Sequence, residues 1–295
     1  HYLDPKLFFP SLDALRATTK VDAVAVFTSP YEHPKVVEEC APLGIDVMME
    51  KPFAVDTAAA RRMAEAARKG GIQLVVNYET SWYPSVWSAY HYVMEQRGIG
   101  RIRKIVVHDG HQGPALIGCS PQFMAWLTDP VLNGGGAIMD FGCYGADLAT
   151  WFMRGQRPLS VYAVTQRLQP NVYPKVDDDA TILVTYKDAE AIIQPSWDWS
   201  FGRKDMEIYG ETGSLRLPNR NLIYCRMGDA PETQLPAPAI EHPYEEAIPY
   251  FVAVVRGKIR PSGLAAVDTN LVTMEILDAA RESARTGRRV DLPAD

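Results

Sequence analysis

The chain has 295 residues, of which 47% are hydrophobic and 22% charged, and its formal net charge is −6. An acidic balance without a block of Lys and Arg excludes the basic surface that nucleic-acid binding requires. The four cysteines form no C-x-x-C pair, so they indicate no zinc site and favour a reducing, cytoplasmic location. No apolar run reaches the roughly 18 residues of a membrane span. The sequence does not begin with Met, and the location would be periplasmic if an export signal preceded it.

The first third of the chain alternates strands with helices. Apolar, β-rich runs predict strands at residues 21–27, 45–49 and 74–76. Helical patterns occupy residues 33–43 and 57–69, and the second has Asp56 as its N-cap and Gly70-Gly71 as its stop. Strands separated by helices of this length predict βαβ units, and therefore a parallel, Rossmann-type sheet.

The rest of the chain has a different pattern. Helices are predicted at residues 84–96, 122–127, 134–152, 245–256 and 264–286, and strands at 102–107, 159–166, 180–186, 191–199, 205–209 and 214–217. Strands that follow one another with short turns indicate a large, open, mostly antiparallel sheet in an α+β unit. We predict a Rossmann domain over residues 1–100 and a substrate-binding and oligomerisation domain over 101–295, whose last helix packs back on the first.

Two motifs carry the chemistry. Lys51 follows a strand and precedes a helix, which places it at the ligand-binding rim of a parallel sheet. Asp140 and Tyr144 are four residues apart on one predicted helix that opens with Gly134-Gly135-Gly136, so they would share a face. A lysine, a carboxylate and a phenol together can move the proton of an alcohol. Each also has a plain structural interpretation, as a solvated turn lysine, an exposed helix aspartate or a half-buried tyrosine.

The motifs together resemble the glucose-fructose oxidoreductase/inositol dehydrogenase/MocA family over nearly the whole chain. They are Glu50-Lys51-Pro52, the Thr28-Ser29-Pro30 turn with His33, and Gly134-Gly135-Gly136 followed by Asp140, Gly142 and Tyr144. The resemblance implies a sugar or polyol dehydrogenase that uses NAD or NADP. It also implies that Lys51, Asp140 and Tyr144 are catalytic, with Tyr144 as the general acid/base, its pKa lowered by Lys51, and Asp140 orienting the substrate hydroxyl. Tyr144 occupies a position where many members have histidine and others tyrosine.

Further contacts are predicted around this centre. Cofactor contacts are predicted for Thr28, Ser29, Pro30, His33, Glu50, Lys51 and Asn77, and substrate contacts for Tyr78, Trp82, Trp126, Trp199 and Arg203 besides Asp140 and Tyr144. For each tryptophan, core or interface packing is an equal alternative. Trp197, His108 and His111 are weaker substrate candidates, and no metal site is predicted because the two histidines lack a third ligand.

The dinucleotide fingerprint G-x-G-x-x-G does not occur in this sequence. We therefore expect the first strands of the Rossmann sheet to be missing, and the choice between NAD and NADP is not encoded here. Two other functions stay open: a non-catalytic sugar-binding or structural member, and an NAD-dependent glycosidase of the same family. The open sheet has a large face that association with other copies of the chain would bury, so a homodimer or homotetramer is expected.

Overall fold

The first of two sheets contains three parallel strands. The structure is a computed structural model that describes residues 4–293. The sheet has the order β1-β2-β3, with strands β1 (Ala23–Val26), β2 (Asp46–Glu50) and β3 (Leu74–Asn77). Helices α1 (Leu12–Arg16), α2 (His33–Cys40) and α3 (Thr57–Gly70) precede these strands in turn. Within the described residues, β1 pairs with β2 on one side and has no strand on the other.

The predicted ends of α3 are confirmed. The Asp56 carboxylate accepts a hydrogen bond of 2.7 Å from the Ala59 backbone amide, as an N-cap does. Gly71 adopts a left-handed conformation with φ of 66°, which lets the chain leave the helix and enter β3. The polar ends of the helix are thus satisfied, and its buried face packs on α2.

The second sheet has nine strands and is mostly antiparallel. Its order is β11-β10-β9-β8-β4-β7-β6-β5-β12, and only the central β4–β7 pair is parallel. The strands are β4 (Ile102–Gly110), β5 (Ser160–Gln166), β6 (Asp179–Thr185), β7 (Glu190–Ser196), β8 (Arg203–Gly210), β9 (Gly213–Asn219), β10 (Leu222–Met227), β11 (Thr233–Leu235) and β12 (Val290–Asp291). The predicted fold class is confirmed, although the short strands β10 to β12 were not foreseen.

Helices cover one face of this sheet and join it to the first. The helices of this part of the chain are α4 (Pro84–Met94), α5 (Pro121–Leu127), α6 (Ala137–Asp140), α7 (Gly142–Phe152), α8 (Ala247–Val255) and α9 (Val267–Thr286), and of these α4, α6, α7 and α9 contact the nine-stranded sheet. Helix α9 lies on β5 and α7 and also reaches α3, where the Asp278 carboxylate accepts a 2.8 Å bond from the Thr57 amide. Helix α8 packs on the first sheet through Tyr250 and Phe251. The domain boundary near residue 100 stays a prediction.

One predicted helix is in fact two. The prediction of a continuous helix over 134–152 was wrong, because α6 ends at Asp140 and α7 begins at Gly142. The Asp140 carbonyl accepts a 2.7 Å hydrogen bond from the Lys51 ammonium and a 3.3 Å bond from the Cys143 thiol. A side chain that inserts into the backbone ladder interrupts a helix. The break lies beside the lysine motif.

Among the described residues, none of these helices is long and apolar enough to cross a membrane.

Candidate active site

The carboxyl ends of β2 and β3 form a polar rim. Glu50 and Asn77 are register partners at these ends, and the Asn77 amide donates a 2.6 Å hydrogen bond to the Glu50 carboxylate. The Trp82 indole N–H in turn donates to the Asn77 amide oxygen at 2.8 Å. This is the edge where open parallel sheets bind their ligands. Its polar groups are held in fixed orientations by one another.

Lys51 follows Glu50 and reaches the helix break. Its Nζ donates to the Asp140 carboxylate at 2.5 Å as well as to the Asp140 carbonyl. The second oxygen of this carboxylate accepts a 2.9 Å bond from the Trp197 indole N–H. Burial opposes ionisation of Asp140, but Lys51 and Trp197 outweigh it and hold the pKa of the carboxyl below its usual range. Burial likewise opposes the charge on Lys51, yet Asp140 raises the pKa of the ammonium. The two groups form a buried ion pair.

Tyr144 lies next to this ion pair at the start of α7. Lys51 Nζ is 5.1 Å from the centroid of its ring, and the edge of the Tyr78 ring contacts it with centroids 5.4 Å apart. The sequence therefore correctly predicted that Lys51, Asp140 and Tyr144 lie together. Burial, with nearby acidic groups, raises the pKa of the Tyr144 phenol well above its usual value. The predicted lowering effect of Lys51 on this pKa stays a prediction.

A second group of side chains lies at the ends of β4 and β8. The Arg203 guanidinium stacks on the Trp199 ring at 4.5 Å and forms a two-pronged ion pair with Asp205 at 2.6 and 2.7 Å. His108 shares the same carboxylate at 3.0 Å. Trp199 and Arg203 are half-buried, so part of each is open to solvent. The predicted substrate contact of these two residues stays a prediction.

His111 lies between the two groups. Its ring meets the Phe141 ring edge-on at 5.0 Å, and its Nδ1 accepts a 2.9 Å bond from the Gly113 amide. A neutral ring therefore carries its hydrogen on Nε2. Burial lowers the pKa of His111, Asp140 raises it, and Lys204 and Lys51 add to the lowering.

The other predicted site residues occupy different surroundings. After β1, Thr28 is exposed, Ser29 half-buried and Pro30 buried. His33 is fully buried and its Nδ1 lies 3.1 Å from the Phe53 carbonyl, so its ring supports the loop that follows Lys51. Two predicted substrate contacts and the weaker candidate Trp197 make structural contacts: Trp82 packs on Tyr250, Trp126 packs edge-on against Phe123, and Trp197 is fully buried beneath Asp140.

Three charged residues near Tyr144 were missed by the sequence analysis. Lys204 lies with its Nζ 4.8 Å from the centroid of the Tyr144 ring and donates to the Glu79 carboxylate. Asp109 is the register partner of Lys204 on β4, and its carboxylate is buried without a hydrogen-bond partner among the described residues. The pairing of β4 with β8 brings Asp109 and Lys204 together, and Glu79 meets Lys204 from the turn after β3. All three contacts are long-range, so no local sequence signal could have revealed them.

Asp109 makes the stability of the fold depend on pH. Burial raises the pKa of Asp109 to about 8, whereas an aspartate in an unfolded chain titrates near a pKa of about 3.9. The folded chain therefore binds one more proton than the unfolded chain between these values, and stability falls as pH rises through this window. We expect Asp109→Asn to remove a loss of about 1 kcal/mol per pH unit. Denaturant unfolding at pH 5 and pH 8 checks this, with the exposed Asp229→Asn as control. Equal slopes for the native chain and Asp109→Asn would contradict it.

The family model described as an oxidoreductase family with an NAD-binding Rossmann fold matches residues 3–78. The model of the GFO/IDH/MocA C-terminal domain matches residues 87–216.

The chain belongs to the GFO/IDH/MocA oxidoreductase family. It is 26% identical to D-apiose dehydrogenase of Paraburkholderia graminis, over 95% of this chain and 75% of the relative. It is 25% identical to trans-1,2-dihydrobenzene-1,2-diol dehydrogenase of Xenopus laevis, over 72% of this chain and 60% of the relative.

Among solved structures, the fold matches aldose-aldose oxidoreductase from Caulobacter crescentus, complexed with glycerol. The TM-score is 0.81 at 24% identity, over 95% of this chain and 82% of that one. The two family models confirm the resemblance inferred from the motifs. Within residues 4–293, no three His, Cys, Asp or Glu side chains are grouped so that they could hold a metal ion.

Proposed function

We propose that this protein is an NAD(P)-dependent oxidoreductase that acts on a hydroxyl-bearing carbon of a sugar, cyclic polyol or related compound. The observation that carries the proposal is the Lys51–Asp140 ion pair at the rim of the parallel sheet, with the Tyr144 ring beside it. The names of the relatives, an apiose dehydrogenase and a dihydrodiol dehydrogenase, support this substrate class.

The residues of the rim fit the nicotinamide half of a dinucleotide. Glu50, Lys51 and Asn77 lie at the carboxyl ends of adjacent parallel strands, and the turn at Thr28 to Pro30 follows the end of β1. A bound nicotinamide supplies the group that accepts or donates the hydride. The rest of the chemistry falls to the protein's own side chains.

Lys51 and Asp140 act as a pair that orients the substrate hydroxyl. An ammonium group has three N–H donors, and Asp140 takes two of them among the described residues. The third can donate to the hydroxyl oxygen of a substrate. Asp140 stays ionised and fixes the direction of the lysine, and Tyr144 gives or takes the hydroxyl proton as general acid/base. The retention of all three groups in contact argues for a catalyst rather than a structural family member.

The open face of the nine-stranded sheet suits a second copy of the chain. Tyr162, Leu183, Ile192 and Val106 are successive register partners on four strands and form an apolar row on the face away from α9. Tyr162 is 40% exposed in the single chain. An exposed apolar row on a sheet is a surface that association would bury. We propose a homodimer or homotetramer through this face.

The first experiment is a calorimetric titration of the protein with NAD⁺ and NADP⁺, with sedimentation of the same sample. Because the 295 residues contain no dinucleotide fingerprint, the titration uses the full-length protein, for which we expect micromolar affinity for one cofactor and a mass that is a multiple of the single chain. A panel of aldoses, cyclic polyols and cyclic diols then identifies the substrate by formation of reduced cofactor. Failure to bind either cofactor at millimolar concentration would exclude the oxidoreductase, and binding without turnover of any compound would favour a sugar-binding member. Hydrolysis of a glycoside by the cofactor-loaded protein would instead identify a glycosidase.

A further inference from the structure

Tyr144 has a second ammonium group beside it, and this inference rests on the proposed role of Tyr144 as acid/base. Lys204 projects from β8, with its Nζ 4.8 Å from the centroid of the Tyr144 ring; Lys51 is 5.1 Å from the same point. The Lys204 side chain is only 20% exposed, so solvent screens its charge weakly. Two elements distant in sequence therefore place positive charge on one phenol.

Glu79 is the counter-ion of Lys204. It lies in the turn after β3, where one carboxylate oxygen accepts from Lys204 and the other accepts a 2.6 Å bond from the Tyr83 hydroxyl. Burial opposes ionisation of Glu79, but Lys204 and Tyr83 outweigh it and lower the pKa of the carboxyl. Glu79 also acts on Tyr144 directly, since its charge is among the causes that raise the pKa of the phenol.

The remaining acids near Lys204 do not neutralise it at neutral pH. Asp109 lines, with Lys204 and Thr80, a small cavity of about 10 Å³, which is room for about one water molecule. The Asp109 oxygens and the Thr80 hydroxyl lack partners among the described residues. A carboxyl with a pKa of about 8 is largely neutral at pH 7. Asp205 is engaged by Arg203 and His108.

We propose that Lys204 is a positioning residue that places a second ammonium group against Tyr144, and that Glu79 sets how much of its charge acts on the phenol. A cation near a phenol stabilises the phenolate, and a carboxylate does the opposite. The pair would thus tune how readily Tyr144 releases its proton to solvent or substrate. No contact of Lys204 with substrate is required.

Other titratable groups also lie near Tyr144 and Lys204, and the test must separate their effects on the phenol from the effect of the Lys204–Glu79 pair. Tyr144 is faced by Lys51 and Asp140 from the rim, by Tyr78 after β3 and by Cys143 on its own helix, while Asp109 on β4 faces both Tyr144 and Lys204. His111, which follows β4, acts on Lys204. Of these groups, Asp109 and His111 also titrate under the influence of Lys204, and Asp109 under that of Glu79 as well. The same shifts measured in an Asp109→Asn background, in which the most strongly coupled carboxyl is absent, report on the Lys204–Glu79 pair.

The test replaces Tyr144 with a fluorotyrosine, whose phenol is more acidic, and titrates it by its phenolate absorbance. In this background we expect Lys204→Met to raise the apparent pKa of the phenol by about one pH unit. Lys204→Arg, which keeps the charge, should stay near the starting value, and Glu79→Gln should lower it. The alkaline limb of kcat against pH, measured with the natural tyrosine, should move in the same directions. Lys104→Met is the matched control, because it removes a lysine of β4 that forms an ion pair with Glu190 of β7.

Lys204→Met and Glu79→Gln are expected to shift the phenol pKa in opposite directions, which keeps the proposal falsifiable. Unchanged titrations in Lys204→Met and Glu79→Gln, or shifts of both in one direction, would overturn it. The spectroscopic titration needs no turnover, so a failure of the proposed function is seen separately, as absence of activity in the unsubstituted protein. If Lys204→Met does not fold, the remaining two variants still give different expectations: an unchanged pKa in Lys204→Arg and a lower pKa in Glu79→Gln.

Discussion

Tyr144→Phe is expected to lower the rate of hydroxyl oxidation by about 10²–10⁴-fold, the usual contribution of a positioned acid/base. The substitution removes only the hydroxyl group, and that group has no hydrogen-bond partner among the described residues. The ring contacts with Tyr78 and Lys51 are kept by phenylalanine. The fold should therefore be retained, and the loss should appear in kcat more than in KM.

The decisive measurement is kcat and KM for the natural chain and the variant, with thermal unfolding to show that both are folded. Tyr90→Phe is the control, since Tyr90 stacks on Trp151 at 3.9 Å and is not part of the proposed site. A loss of less than a few-fold in Tyr144→Phe would remove Tyr144 from the acid/base role.

The raised pKa of Tyr144 predicts how the rates of reduction and oxidation depend on pH. The phenol is protonated at neutral pH because burial opposes its ionisation. Reduction of a carbonyl needs the protonated phenol and should proceed at neutral pH, whereas oxidation needs the phenolate and should accelerate as pH rises. This dependence should be absent from the residual activity of Tyr144→Phe.

The site could be predicted from sequence where local pattern alone fixes position. Lys51 was placed correctly because the carboxyl end of a parallel strand is the ligand edge whatever the rest of the chain does. Asp140 and Tyr144 were predicted to lie together because they are four residues apart on one helix. They do lie together, but on two helices that are divided at Phe141. At the break, the Asp140 carbonyl accepts a hydrogen bond from Lys51, which is 89 residues away in sequence.

Long-range register explains what the sequence could not reveal. Lys204 reaches Tyr144 because β8 pairs antiparallel with β4, and Trp197 reaches Asp140 from the end of β7. Such register also decides which aromatic side chains are buried. Trp82 and Trp197 resemble sugar-site residues in sequence. In the structure, the indole N–H of Trp82 donates to Asn77 and that of Trp197 donates to Asp140.

Lys51→Met is expected both to abolish most activity and to destabilise the fold. Removing one partner of a buried ion pair leaves the other charge uncompensated and costs about 3–5 kcal/mol. Asp140 is only 9% exposed, so its carboxylate would be left in this state. Activity should fall by roughly 10³-fold, as when a positioned donor is lost. Denaturant unfolding and steady-state kinetics of the same sample measure the two effects.

The double variant Lys51→Met with Asp140→Asn separates charge from packing. If the ion pair is what the lysine stabilises, the second change should restore part of the lost stability, because no buried charge remains. The pH dependence supplies a further check. The pKa of Asp140 is lowered in the fold, so its stabilising contribution is present above the unfolded pKa of about 3.9 and is lost as pH falls through the folded value. Asp140→Asn should lack this acid-dependent loss. Additive effects of the two substitutions would mean that Lys51 and Asp140 act independently, and the pair could not then be the element that orients the substrate.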